Sequence, residues 1–369
     1  MINKVELAGF KRFEKKIFDL KNLTLLTGMN GAGKSSFIQG LLLARESASS
    51  VDSVNLDDSY GVDLGTAIDV VNWNSAESIQ IKLNDDVSWV LSVPNDNALY
   101  LDLEQRYSGE LPTSFHDIPR SFTYLCAERS GPRSSYSLSA IPDAMLEVGV
   151  HGEHSTQLIE AYGNTLLPDK DRTHPLTEAD ETVFLTYQIE KWMGEIVRPI
   201  SIRAEKVRGV KAVTLSFKAQ GGDWVQATNM GFGVTYSLPI ILAGLMAPKG
   251  GVLMIENPEA HLHPAGQSRM GAFLAWLAGQ GVQVIVETHS DHLLNGVRRA
   301  IAEHHYIDST DANVLFFDSS VEDGISTTLE FSDNGAVSNW PNSFFDQYQL
   351  DTAALGRIRR SKLRSGIRN

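Results

Sequence analysis

Residues 22–36 read NLTLLTGMNGAGKSS, and this stretch decides the architecture. NLTLLTG is a short β-prone run ending in Gly28. Gly28 to Ser35 then fits G-x-x-x-x-G-K-[S/T], the spacing of a phosphate-binding loop. KSSFIQGLLLARESA follows with apolar residues at helical spacing, from about Lys34 to Ala48. The glycines therefore lie between a strand and a helix, the context this motif requires. They let the backbone turn tightly enough to aim successive N–H groups at phosphate oxygens, and the helix N-terminus adds positive potential. Asn30, Gly31, Gly33, Lys34, Ser35 and Ser36 are the expected cradle. Lys34 would reach the β- and γ-phosphates, and the Ser35 hydroxyl would ligate Mg²⁺.

From Asn229 onward the pattern is regular. A helix (VTYSLPIILAGLMA) leads to strand GVLMIE, helix AGQSRMGAFLAWLAGQ, strand VQVIVET, helix DHLLNGVRRAIAEH and strand NVLFF. Such alternation implies a parallel sheet with right-handed crossovers, and so an α/β fold. Before it, NKVELAGF alternates, SIQIKL and SWVLSVP resemble hairpin strands, and FTYLCAE (122–128) resembles a buried strand. The polar stretch 49–63 reads as an exposed loop, and Pro- and Gly-containing segments near 130–142 and 167–175 break the middle third. TEADETVFLTYQIEKWMGEIV reads as an amphipathic helix with Thr177 as N-cap. The expected division is 1–50 for the first half of a nucleotide-binding head, 51–228 for inserted strands and a helical lid, 229–330 for the second half, and 331–369 for a C-terminal extension.

The 369 residues are 42% hydrophobic and 21% charged, as in an ordinary globular protein able to bury a sizeable core. No apolar run is long enough to cross a bilayer, and MINKVELAGF has no signal-peptide core, so no membrane is expected. The single cysteine, Cys126, cannot form an internal disulfide, which suits a reducing cytoplasm. A net charge of -13 argues against a general nucleic-acid coat. The last fourteen residues run the other way: Arg357, Arg359, Arg360, Lys362, Arg364 and Arg368 stand there without an acid. Such a tail is either a solvated end or a contact for nucleic acid or an acidic partner.

Three later features make sense beside the phosphate loop. The apolar strand VLMIE ends at Glu256, where magnesium–nucleotide sites usually place an Asp; its carboxylate would reach the metal directly or through water. Asn257 follows where a catalytic carboxylate often sits, and it cannot accept a proton. Glu256 itself, or Glu259 two residues on, is then the candidate base. VIVETHS ends a second apolar strand with His289 at the edge where α/β sheets present ligands, placed to bond a γ-phosphate or orient water. Gly231 and Gly233 precede a helix and offer a second anion-binding helix start. His261 and His263 sit two apart without a Cys/His/Asp cluster and read as a structural turn. Arg129 and Arg133, in CAERSGPR, suit either a phosphate or an internal salt bridge.

These residues, in this order, resemble the ABC-type ATPase heads of the SMC, RecF and OLD group, over the first fifty residues and about 229–317. The resemblance implies that GFKRFEK supplies a basic nucleotide contact, Lys11 with Arg12 beside it. NMGFGV would stand as the signature motif, ENPE as the metal-binding and catalytic acids, AHLHP as the D-loop and THS as the switch histidine. It also implies ATP and Mg²⁺ as cofactors, and a homodimer in which Lys34 of one copy meets Gly231 to Gly233 of the other across ATP. IENPEAHLHP with the late WPNSFFDQ looks most like stand-alone bacterial ATPases whose relatives occur in anti-phage defence.

Departures narrow the choice. About two hundred residues between the two halves lack heptads, which argues against a long coiled coil. Only about eighty residues follow His289, too few for the nuclease domain of OLD proteins. Asp318 and Glu322 are then surface acids or a remnant of one. The expectation is a slow ATP-hydrolysing switch that controls a separate effector such as a nuclease. The alternatives are a RecF-like ATPase that binds DNA directly, and a module in which ATP is structural.

Overall fold

β1 (Lys4–Phe10), β2 (Phe13–Asp19) and β3 (Leu23–Gly28) open the chain, and α1 (Lys34–Ser49) leaves β3 through the glycine loop. The computed structural model describes residues 1–57, 60–74, 78–107, 109–318, 326–338, 340–341, 344–345 and 347–364. β4 (Ser53–Asn55), the single turn α2 (Ala67–Val70), β5 (Ser78–Leu83), β6 (Val87–Ser92), β7 (Tyr100–Tyr107) and β8 (Phe122–Leu125) come next. The middle holds β9 (Tyr136–Ser137), α3 (Ser155–Tyr162), α4 (Leu185–Ile196), β10 (Ile200–Lys206), β11 (Ala212–Ala219) and β12 (Trp224–Gln226). Then α5 (Phe232–Met246), β13 (Val252–Glu256), α6 (Pro264–Gly279), β14 (Gln283–Glu287) and α7 (Asp291–Ala302) alternate. β15 (Ala312–Phe317), β16 (Ser326–Glu330) and α8 (Gln347–Arg364) complete the chain.

The strands form three sheets. The one that carries the glycine loop has the order β16-β15-β3-β14-β13-β8; β8, β13, β14, β3 and β15 are parallel, and β16 is antiparallel at one edge. β3 therefore lies inside the sheet, paired on both sides. A second sheet, β2-β1-β5-β6-β7-β4, is antiparallel, and β5 joins β4, β6 and β7 to the N-terminal hairpin. β9 to β12 make a small third sheet.

Strands of the parallel sheet are apolar at nearly every position because both faces are covered. Leu25, Ile255, Val286, Val314 and Phe316 face a core shared with α4, α5, α6 and α7. Leu26, Met254, Ile285, Leu315 and Phe317 face the other core, shared with α1 and the antiparallel sheet. Period-two alternation thus splits one hydrophobic sequence between two cores.

Three local expectations change. Residues 49–63 are not a plain exposed loop: β4 pairs with β7, and Val54 and Leu56 are fully buried. Thr177 caps no helix. α4 begins at Leu185 with Phe184 as N-cap, because 177–182 is held in turns by bonds such as Thr177 N–H to the His174 carbonyl. Arg129 makes neither a salt bridge nor a phosphate-facing surface, as described below. Glu322, Asn342, Ser343, Asp346 and Arg368 lie outside the described residues. Among the described residues no helix exceeds the 18 residues of α8, and none is long and apolar enough to cross a membrane.

α6 and α7 cross at near-minimal separation. A Cβ added at Gly296 would sit 1.8 Å from the Ser268 carbonyl oxygen, and one at Gly271 would sit 2.2 Å from that of Leu293. Neither contact can yield, since both partners are helix backbone. Gly296→Ala is expected to lower the melting temperature through about 1–3 kcal/mol of overpacking. Thermal denaturation followed by circular dichroism measures it, and an unchanged midpoint would contradict the close crossing.

Candidate functional site

The C-terminal ends of β3, β14 and β13 bring the expected residues together. The glycine loop is held in conformations that side chains disfavour. Gly28 has φ 126° and Gly33 has φ 111°, and a Cβ on Gly28 would lie 2.0 Å from the Phe317 carbonyl oxygen of β15. Gly33 is the N-cap of α1, so Lys34, Ser35 and Ser36 form its first turn. Lys34 is 4% exposed. Its ammonium donates to the Gly28 and Met29 carbonyls, at 3.0 Å each, and stands 3.8 Å from Glu287 Oε1. Burial lowers its pKa, and Glu287 opposes the shift.

Glu287, the last residue of β14, escaped the sequence reading. It is 7% exposed, and its Oε2 accepts from the Ser35 hydroxyl at 3.4 Å. Burial pushes its pKa up to about 7, with the Glu256 carboxylate adding to the shift while Lys34 and Ser35 pull against it. The signal was available: Glu287 ends an apolar strand just as Glu256 does, and the two are register partners in the parallel pair β13/β14. The more conspicuous Thr288-His289-Ser290 beside it drew the attention.

Glu256 points toward β8. Its Oε1 accepts from the Tyr124 hydroxyl at 2.9 Å and its Oε2 from the Ala127 amide at 3.1 Å. Asn257 has φ 45°, a left-handed conformation that Asn tolerates better than Glu does. Its amide donates to the Glu287 carbonyl at 2.8 Å, and its Oδ1 is buried without a partner. Glu259 Oε1 accepts from the His289 amide at 2.8 Å, and burial raises the Glu259 pKa. The His289 side chain is exposed; partial burial and Lys34 lower its pKa, which favours neutral imidazole.

Arg129 braces this edge from inside. It is 3% exposed, and its guanidinium donates to the carbonyls of Cys126 (2.9 Å), Glu256 (2.7 Å) and Asn257 (2.6 Å) while lying over the Tyr236 ring. Desolvation accounts for its lowered pKa. Arg133 is exposed.

Lys11 and Arg12 flank the glycine loop. The Arg12 guanidinium donates to the Gly31 carbonyl, and Lys11 donates to Gln39 Oε1 of α1 at 2.7 Å. Both line a cavity of about 1030 Å³ together with Gly31, Ser36, Asp69, Asn72 and Trp73. The Trp73 side chain is 83% exposed, so its ring face is open. Asn30 and Gly31 lie on the exposed rim of the loop.

At the start of α5 Gly231 is exposed and Gly233 half-buried, and among the described residues no hydrogen bond joins them to the glycine loop. They border the 257–263 turn instead: a Cβ on Gly233 would be 2.8 Å from the His261 carbonyl, and Phe232 packs on the His261 ring. His261 has φ 62°, and His263 caps α6 by accepting from the Ala265 amide. Among the described residues no group of three His, Cys, Asp or Glu side chains could hold a metal by itself. The oxygen donors Ser35, Glu256 and Glu287 suit magnesium, which takes one or two carboxylates and completes its shell with water and substrate phosphates.

Comparison with known proteins comes to the same place. The profile of the family described as "AAA domain, putative AbiEii toxin, Type IV TA system" matches residues 23–295, about three quarters of the chain. A second profile, described as a protein of unknown function (DUF3696), matches residues 307–355. None of the curated proteins compared matches. Two solved SMC heads share the fold. One is an SMC head bound to the C-terminal winged-helix domain of ScpA, with TM-score 0.51, 15% identity, and coverage of 90% of this chain and 97% of that one. The other is an SMC head domain with an extended coiled coil, bound to the C-terminal domain of ScpA and derived from Pyrococcus furiosus. Its TM-score is 0.53 at 13% identity, covering 97% of this chain and 99% of that one.

Replacing Arg129 with Gln strands three buried carbonyl contacts. A destabilisation of about 2–4 kcal/mol is expected in denaturant unfolding. A loss below about 0.5 kcal/mol, the size of an ordinary surface change, would show that the bracing is dispensable.

Proposed function

The chain belongs to this AAA family, an ATPase head of the ABC-type, SMC-like class, and on that premise we propose that it is an ATP-holding switch. ATP with magnesium binds at the glycine loop, two copies close around it, hydrolysis is slow, and the dimer regulates a separate effector, a nuclease of anti-phage defence being the leading candidate. The observation that carries the reading is the convergence of Lys34, Ser35, Glu287 and the 256–259 turn at one sheet edge. When bound, magnesium would neutralise phosphate charge; Ser35 and a strand-end carboxylate beside it would hold it.

Slow turnover follows from what the carboxylates already do. Asn257 has no proton-accepting carboxylate, both oxygens of Glu256 accept hydrogen bonds, and one oxygen of Glu259 holds the His289 amide. General-base help is worth on the order of 10²- to 10⁴-fold, so its weakening leaves nucleotide bound for long periods. His289 would orient the attacking water.

Dimerisation draws support from the exposed Gly231 and Phe232, the latter 51% exposed beside His261. An effector draws support from the two SMC heads, each solved with a bound ScpA domain. Direct nucleic-acid binding is the second reading, favoured by the exposed Arg357, Arg359 and Arg360 of α8.

Titration with a fluorescent ATP analogue, phosphate release and light scattering test the reading together. Lys34→Ala should weaken nucleotide binding by about 10- to 100-fold, the scale of a lost charge-assisted contact. Trp73→Ala should weaken it by roughly fivefold or more if the open ring stacks on the base. Asn257→Asp keeps the left-handed turn and should raise turnover about tenfold or more. A wild-type chain that neither binds the analogue nor shifts toward dimer with ATP would refute the switch.

A further inference from the structure

The residue facing Ser35 differs from the one that the motif would put there. Both Glu256 and Glu287 end apolar strands at the same level of the sheet, and either carboxylate is chemically fit for magnesium. Their surroundings separate them. Glu256 spends one oxygen on the Tyr124 hydroxyl and the other on the Ala127 amide, both on the β8 side. Glu287 offers one oxygen to the Ser35 hydroxyl at 3.4 Å and the other to the Lys34 ammonium at 3.8 Å. We propose that Glu287, rather than Glu256, is the carboxylate that shares magnesium with Ser35, and that without nucleotide it is the counter-charge of Lys34. This rests on the nucleotide-binding reading above.

The argument is one of charge balance in a dry place. A carboxylate 7% exposed needs a cation close by. Lys34 supplies it in the ligand-free chain. When Lys34 turns to the β- and γ-phosphates, Glu287 loses that partner and faces an anion. A divalent cation held by Glu287 and Ser35 would restore the balance while leaving Glu287 ionised. Glu256, one strand farther out, then orients Tyr124 and the Ala127 turn. Because the Glu287 carbonyl accepts from the Asn257 amide, its position also sets the start of the 257–263 turn.

The proposal has a signature with two opposite signs. Without metal, the Glu287 carboxylate repels phosphate; with metal, it attracts the metal–nucleotide complex. Glu287→Gln should therefore bind the fluorescent ATP analogue more tightly than wild type in EDTA. The gain in affinity on adding Mg²⁺ should shrink about tenfold or more, the scale of one charge-assisted contact. Glu256→Gln should leave most of that gain, and Glu287→Asp should keep part of it, which separates lost charge from a damaged fold. Mn²⁺ titration in the presence of ATP, followed by electron paramagnetic resonance, gives the same comparison without turnover. A full Mg²⁺ gain in Glu287→Gln with its loss in Glu256→Gln would overturn this assignment while leaving the function standing. Absence of nucleotide binding by the wild type would overturn both.

Discussion

A phosphate loop must be held rigidly at one end while its amides stay open, and an interior position for β3 meets that demand. β3 pairs with β15 on one side and β14 on the other, so its backbone has no free edge. Both faces are covered, one by helices and one by α1 with the antiparallel sheet. Gly28 is pressed so tightly against β15 that a Cβ has no room. The loop is therefore anchored by main-chain geometry, with Lys34 bonded back to the Gly28 and Met29 carbonyls and Ser35 to Glu287. Everything else at the site is placed relative to this strand: Glu287 by the neighbouring β14, Glu256 by the next strand out.

The readable parts of the sequence were those with local rules. The glycine loop, α5 to α7 and the strands VLMIE, QVIVE and ANVLFF carry short periods that need no knowledge of distant partners. Residues 49–107 were harder because their structure depends on remote pairing: β5 lies along β1, matching Val5 to Leu83. Nothing local marks Ser53–Asn55 as a strand until β7 is beside it. Thr177 failed as a helix start for a related reason, since a good cap residue is only a preference and turns spanning 174–182 overrode it. At the site, His289 and Glu256 were legible as strand-end residues. The burial of Glu287 beside Lys34 and the three-carbonyl grip of Arg129 depend on which strand ends meet in space.

Charge in this region is arranged so that main-chain dipoles share the work with ions. Arg129 is neutralised by carbonyl oxygens, and Glu259 by the His289 amide. Their partners belong to the main chain, whereas Lys34, Ser35 and Glu287 meet through side chains. Asn257 belongs to the main-chain set: its backbone is left-handed, its N–H donates to the Glu287 carbonyl, and its carbonyl accepts from Arg129 and from the Ala260 N–H. A short polar side chain suits that left-handed turn better than the longer Glu would.

The glycine contact between α6 and α7 has a mechanical meaning. The turn 257–263 runs into the N-terminus of α6, and His289 precedes that of α7. Gly271 and Gly296 bring the two helix backbones together without intervening side chains, and the Ser290 hydroxyl bonds Gln267 Oε1 at 2.6 Å across their starts. Two helices joined in this way cannot slide independently, because no flexible side chain lies between them to absorb the shear. They form one stiff beam. The start of α6, which follows the His261 turn, and the start of α7, which follows His289, are thereby held in one fixed relation.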